Sequence, residues 1–172
     1  MAIAGNYRGG KSYVLNHLIN QPGCFGVGNT TNACTKGLWI WNKVVKAKTQ
    51  DGEDLNVVFI DTEGLSDTAK DQNNDVRIFM LAILLSSHII YNCTGVIDNG
   101  TISQLSLVSQ MTNRIRLSNA DKHSNPDEVE PEEFAQFFPD ITLLVRDFCL
   151  QLVDKDNKSI TPDQYLENAL VE

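Results

Sequence analysis

The sequence predicts an α/β fold: a mostly parallel central sheet with an antiparallel hairpin and helices on both faces. Three observations predict it. Apolar strand-like and helix-like segments alternate along the chain. A glycine-rich loop, Gly5-Asn6-Tyr7-Arg8-Gly9-Gly10-Lys11-Ser12, joins the first apolar segment to the first helix-like run. A turn, Gln50-Asp51-Gly52-Glu53, separates two strand-like runs, as in a hairpin.

The 172 residues suffice for one domain with a real core. A hydrophobic content of 42% and a charged content of 21% are those of a globular protein rather than a disordered one. The net charge of −8 argues against a nucleic-acid partner, which requires a basic surface. Any bound anion must instead meet a locally positive site, for which Lys11, Arg8 and Arg146 are the candidates. Cys24, Cys34, Cys93 and Cys149 form no CxxC pair and read as reduced, buried thiols of a cytoplasmic protein. The uncharged stretch 78–97 has the length of a membrane span, but Ser86-Ser87-His88 and Asn92 interrupt it, so a core helix and a buried strand explain it better.

In order along the chain, Met1–Ala4 reads as a buried strand and Lys11–Ile19 as a helix. Asn20–Lys36, rich in Gly, Pro, Asn and Thr, is an aperiodic loop. Leu38–Lys46 and Leu55–Asp61 read as the two hairpin strands. Asp75–Ser87 is an apolar helix and His88–Cys93 a buried strand. Ile102, Leu105, Val108, Met111 and Ile115 recur at helical spacing, and an acidic loop follows over about 118–131. Ile141–Val145 is a strand closed by Arg146-Asp147, and Thr161-Pro162 starts a final helix with Pro in its first turn. With so few residues ahead of Gly5, the expectation is one domain over 1–172 that is cut short at both ends.

The chemistry lies where strands end, as it does in open α/β sheets. Gly5, four residues, then Gly10-Lys11-Ser12 is the phosphate-binding pattern. Its glycines let backbone N–H groups converge on one anion, Lys11 reaches the β- and γ-phosphates, and Ser12 is a ligand for Mg²⁺. Tyr13 continues the loop into the helix, whose positive dipole end faces the same site. Asp61-Thr62-Glu63-Gly64 follows an apolar strand, so Asp61 can hold Mg²⁺ and the Gly64 N–H can meet the γ-phosphate. Thr35 lies in the intervening loop, where a threonine would ligate the metal, although Thr30 and Thr31 are nearby and composition does not choose among them. Asp147 could accept two hydrogen bonds from guanine; on local grounds alone Arg146-Asp147 could equally be a strand-end ion pair. Leu65 stands where many small GTPases carry a water-positioning Gln. Arg8 could supply positive charge from within the loop, or be merely an exposed or structural arginine.

Together these residues resemble the guanylate-binding proteins, a branch of the dynamin-like large GTPases with the P-loop GTPase fold. The resemblance covers nearly the whole chain. It rests on Gly5-Asn6-Tyr7-Arg8 with Gly10-Lys11-Ser12, on Thr35-Lys36-Gly37-Leu38-Trp39-Ile40-Trp41 and on Asp61-Thr62-Glu63-Gly64-Leu65. Leu84-Leu85-Ser86-Ser87, Tyr91-Asn92 and Phe137-Phe138-Pro139-Asp140 leading to Arg146-Asp147-Phe148 add to it. Atlastins share the two arginine motifs but lack the Thr-Lys-Gly-x-Trp signature.

The resemblance implies a GTP–Mg²⁺ hydrolase producing GDP, and GMP in some members. It implies Arg8 as arginine finger in cis, Thr35 as metal and γ-phosphate sensor, Glu63 in the water network and Asp147 as guanine reader. It also implies a homodimer formed by GTP-bound G domains, which turns the arginine inward. Membrane attachment cannot be argued from this segment. Three positions depart from the family pattern: Ala33 replaces a serine that helps position the water, Cys34 a common histidine, and Gly9 a hydroxyl residue. Two rival readings remain, a slow-turnover nucleotide switch or scaffold and a P-loop ATPase or kinase.

Overall fold

The computed structural model describes residues 1–28, 34–65, 72–103, 105–106 and 138–171. Among them the strands are β1 (Ala2–Gly5), β2 (Leu38–Ile40), β3 (Val45–Lys48), β4 (Asp54–Val57), β5 (Ile60–Thr62), β6 (His88–Thr94) and β7 (Asp140–Arg146). The helices are α1 (Lys11–Leu18), α2 (Gln72–Leu85) and α3 (Pro162–Val171). A five-stranded sheet has the order β2-β5-β1-β6-β7, and β3 and β4 form a separate antiparallel pair. β1 runs parallel to β5 and β6, while β2 is antiparallel to β5. At the β6–β7 edge, Asp140 N–H donates to the Ser87 carbonyl and Gly95 N–H to that of Arg146, start to start and end to end, so these strands are parallel too. The α/β class, with its mostly parallel sheet and antiparallel hairpin, is as the sequence predicts.

The chain divides into two compact units, residues 1–92 with 129–144 and residues 93–128 with 145–172. In the first unit, β1 is buried along its whole length, as expected of a central parallel strand covered on both faces. Side chains alternate across it. Ile3 and its register partner Ile90 join Leu15 of α1, Phe25 and Phe59 in one core cluster. Ala4 and its partner Tyr91 face the other way, where Phe79 of α2 meets the Tyr91 ring with centroids 6.1 Å apart. The helices therefore cover opposite faces. The loop after α1 is anchored by Asn16, whose carboxamide donates to the Phe25 carbonyl (2.9 Å) and accepts the Phe25 N–H (2.8 Å).

One expectation needs correcting. The runs 38–46 and 55–61 are not two continuous strands; each is broken in two. Trp41 N–H donates to the Phe59 carbonyl, and the next register pair is Val45 with Val57. Residues 42–44 thus lie opposite residue 58 alone, and this three-against-one count interrupts the ladder as a special bulge does. The inner pieces join the central sheet and the outer pieces make the hairpin.

In the second unit, Asp98 caps a helical segment that starts at 99, its Oδ1 accepting both the N–H and the hydroxyl of Thr101 at 2.8 Å. Most of the helix expected after Ile102, and the acidic loop beyond it, lie outside the described residues. α3 opens on a capping box: Thr161 N–H donates to Gln164 Oε1 (2.9 Å), and Gln164 N–H to Thr161 Oγ1 (3.2 Å). Among the described residues, no helix is long and apolar enough to cross a membrane.

Candidate nucleotide site

The glycine-rich loop leaves β1 at Gly5 and enters α1 through Gly10. Gly5 has φ +136° and Gly10 φ +76°, both in the left-handed half of backbone space that glycine enters without a Cβ clash. Arg8 also has positive φ (59°), and its side chain is exposed. Gly10 is the N-cap of α1 and brings no side-chain oxygen, so no side chain caps the positive end of the helix dipole. A cleft of about 280 Å³ opens there, lined among others by Tyr7, Arg8, Lys11, Ser12, Tyr13 and Thr35. Asn6 is exposed; its carbonyl accepts both the Lys11 ammonium and the Gly9 N–H at 3.1 Å.

Below the loop, three residues chosen from sequence as metal ligands converge. Asp61 Oδ2 accepts the Ser12 hydroxyl at 2.6 Å and the Thr35 hydroxyl at 3.0 Å, and the two hydroxyl oxygens are 3.3 Å apart. Asp61 Oδ1 is buried with no hydrogen-bond partner. This all-oxygen donor set, with a carboxylate oxygen unspent, fits a hard divalent cation such as Mg²⁺. Burial pushes the Asp61 carboxyl above its usual range, against the opposing pull of the Ser12 and Thr35 hydrogen bonds and the Lys11 charge. Burial also lowers Lys11 to about 8, only partly offset by the Asp61 charge. Each group alone is thus a desolvated charge whose counter-charge is incomplete. An anion beside Lys11 and a cation beside Asp61 would relieve both.

Glu63 and Gly64 fasten the segment after β5 to its neighbours. Glu63 is buried; its carboxylate accepts the Gly37 N–H at 2.9 Å, and its own N–H donates to the Gly37 carbonyl at 2.8 Å. A Cβ on Gly64 would fall 2.3 Å from the Tyr7 Cα, so only glycine lets this segment lie against the loop. Leu65 is locked there: its N–H donates to the Gly5 carbonyl and its carbonyl accepts the Tyr7 N–H.

Sequence reasoning missed several lining and supporting positions. Gly26, Val27 and Gly28 line the cleft, though nothing in their spacing singles them out, and Cys34 lines it too. The expectation of buried thiols needs correcting: Cys34 and Cys149 are exposed, Cys24 is half-buried and Cys93 alone of the four is buried. Asn92, fully buried near the carboxyl end of β6, donates from Nδ2 to the Gly9 carbonyl at 2.8 Å. A polar amide within the mostly apolar run 89–93 was the available signal. Arg146 ends β7 and Asp147 follows it, both in the second unit, Arg146 half-buried and Asp147 exposed with φ +56°. Thr30, Thr31 and Ala33 lie outside the described residues.

A family model described as "Guanylate-binding protein, N-terminal domain" matches residues 1–172. The chain belongs to the guanylate-binding protein family. Relatives in this family include human guanylate-binding protein 5, 42% identical over 172 residues, and human guanylate-binding protein 1, 43% identical over 172 residues. Guanylate-binding protein 1 of Chlorocebus aethiops is 44% identical over 174 residues. Each alignment takes in 99% of this chain but 28% of the relative, so the chain spans little more than a quarter of their length. A solved chain of an oligomerised bacterial dynamin pair aligns over 99% of this chain and 34% of its own, at 14% identity and a TM-score of 0.39, too slight a likeness to argue from.

Proposed function

We propose that this chain binds GTP with Mg²⁺ and hydrolyses it to GDP. One observation carries the reading: the Ser12 and Thr35 hydroxyls meet on Asp61 Oδ2 beside a buried Lys11, at the uncapped start of α1. The guanylate-binding relatives, by their names, support guanine as the base. Ser12, Thr35 and Asp61 would hold Mg²⁺, whose chemistry is to offset charge on the phosphate oxygens. Lys11, resting on the Asn6 carbonyl, would exchange that neutral acceptor for a phosphate oxygen, a stronger charge-assisted bond. The exposed Arg8 would bring positive charge to the leaving oxygen, and Glu63, tied to Gly37, would keep the segment after Thr35 in place around the attacking water. Asp147, at the carboxyl end of β7 with Arg146 before it, would accept the N1–H and N2–H of guanine.

Self-association of two such domains when GTP is bound would turn Arg8 inward, and part of the product would be GMP. A slower nucleotide switch is the second reading, favoured by Leu65, which is buried and backbone-bonded where a water-orienting amide would serve.

Competition against a fluorescent GDP analogue tests the reading. GTP should displace the probe and ATP should not, and Lys11→Ala should abolish binding. Equal displacement by ATP would remove the role of Asp147, and micromolar affinity in Lys11→Ala would remove that of the loop.

A further inference from the structure

We infer that Asn92 is a positioning residue for the glycine-rich loop, setting the direction of its peptide groups from beneath. The inference rests on the nucleotide reading above. Alternation along β6 puts Asn92 on the same face as Ile90, the face that α1 covers, so its side chain lies under the loop that leads into α1. The side chain is fully buried, and Nδ2 donates to the Gly9 carbonyl at 2.8 Å.

That bond fixes a whole peptide plane. The peptide groups are trans, so the Gly10 N–H points opposite to the Gly9 carbonyl that Asn92 holds. Gly10 lines the cleft. Turning one carbonyl down onto Asn92 therefore turns the next N–H up towards a bound anion.

Two glycines of the loop answer to the same residue. A Cβ on Gly5 would lie 2.0 Å from the Asn92 carbonyl oxygen, and one on Gly9 would lie 2.8 Å from Asn92 Nδ2. Gly9 has no positive φ, so a Cβ there would meet no backbone strain; what it would press on is the end of the Asn92 side chain, which must then shift. The Asn92 Oδ1, in turn, is buried with no hydrogen-bond partner. An apolar residue would avoid that unsatisfied acceptor, so the fold keeps the amide for what its donor does.

The test measures affinity for a fluorescent GDP analogue with Mg²⁺ in the full chain and in Asn92→Ala, Gly9→Ala and the double variant. Each single change should weaken binding on the order of ten-fold, as one hydrogen bond would. The double variant should lose less than the product of the two, because both changes break one contact. Binding within two-fold of wild type in either single variant, or a double variant equal to the product, would overturn the role of Asn92. Should Asn92→Ala not fold, Gly9→Ala alone decides, since it empties no core position, and unchanged affinity there overturns the proposal. Failure of the wild-type chain to bind the probe would instead reject the nucleotide reading.

Discussion

Glu63 and Gly37 hold each other through two hydrogen bonds: Glu63 N–H to the Gly37 carbonyl at 2.8 Å, and Gly37 N–H to the Glu63 carboxylate at 2.9 Å. The pair joins the segment that carries Thr35 to the one that carries Asp61. Since both residues chosen as metal ligands from these segments depend on that join, it sets how stiff the site is. Glu63→Ala should cost about 2 kcal/mol of stability, because a buried charge-assisted bond is lost. Hydrogen exchange should quicken at the Gly37 amide. Unchanged protection there would mean that the pair does not hold the two segments together.

Lys11 gives the site a pH dependence. Its folded-state pKa, about 8, lies below the ordinary 10.5, so the unfolded chain binds more protons between those values. Stability of the nucleotide-free protein should rise from pH 8 to 10.5, as the cost of burying the charge disappears. Below pH 8 that cost is fully present and amounts to about 3 kcal/mol. Lys11→Met should therefore stabilise the nucleotide-free chain at pH 7, by less than that figure because Asp61 loses a favourable charge. Urea midpoints at pH 7 and pH 10 would check this, and a variant no more stable than wild type at pH 7 would contradict it.

Arg8→Ala should leave nucleotide affinity within a few-fold and slow single-turnover hydrolysis by about 100-fold or more, the scale of an arginine that offsets transition-state charge. The wild-type rate should also rise with protein concentration if association turns Arg8 inward. A rate indifferent to both changes would leave only the slow-switch reading.

α3 provides a local control. Thr161→Ala removes the hydroxyl that accepts the Gln164 N–H, and should cost about 1 kcal/mol with no effect on nucleotide binding. Chemical denaturation together with the probe titration separates the two effects.

The alternation of elements, the glycine-rich loop and the Asp61-Thr62-Glu63-Gly64 turn were all legible, because each is a local pattern of backbone freedom and side-chain periodicity. The capping box of α3 is of the same kind. The break in the hairpin strands was not legible: residues 42–44 continue a strand-like run, and only their pairing opposite residue 58 reveals the extra length. Gly5 and Gly10 of the loop could be read from conformational need, whereas Gly64 after β5 is glycine because the distant Tyr7 backbone crowds it.

By itself, then, the sequence determined the alternation of strand and helix and which residue types sit at the strand ends. Only the tertiary structure decided that Thr35 meets Ser12 on Asp61, that Glu63 closes on Gly37, and that Asn92 lies under Gly9. Ser12 and Asp61 are 49 residues apart in the chain, and Asn92 and Gly9 are 83 apart. Such meetings depend on the order of strands in the sheet, set by burial on both faces of β1, and no local periodicity encodes that order.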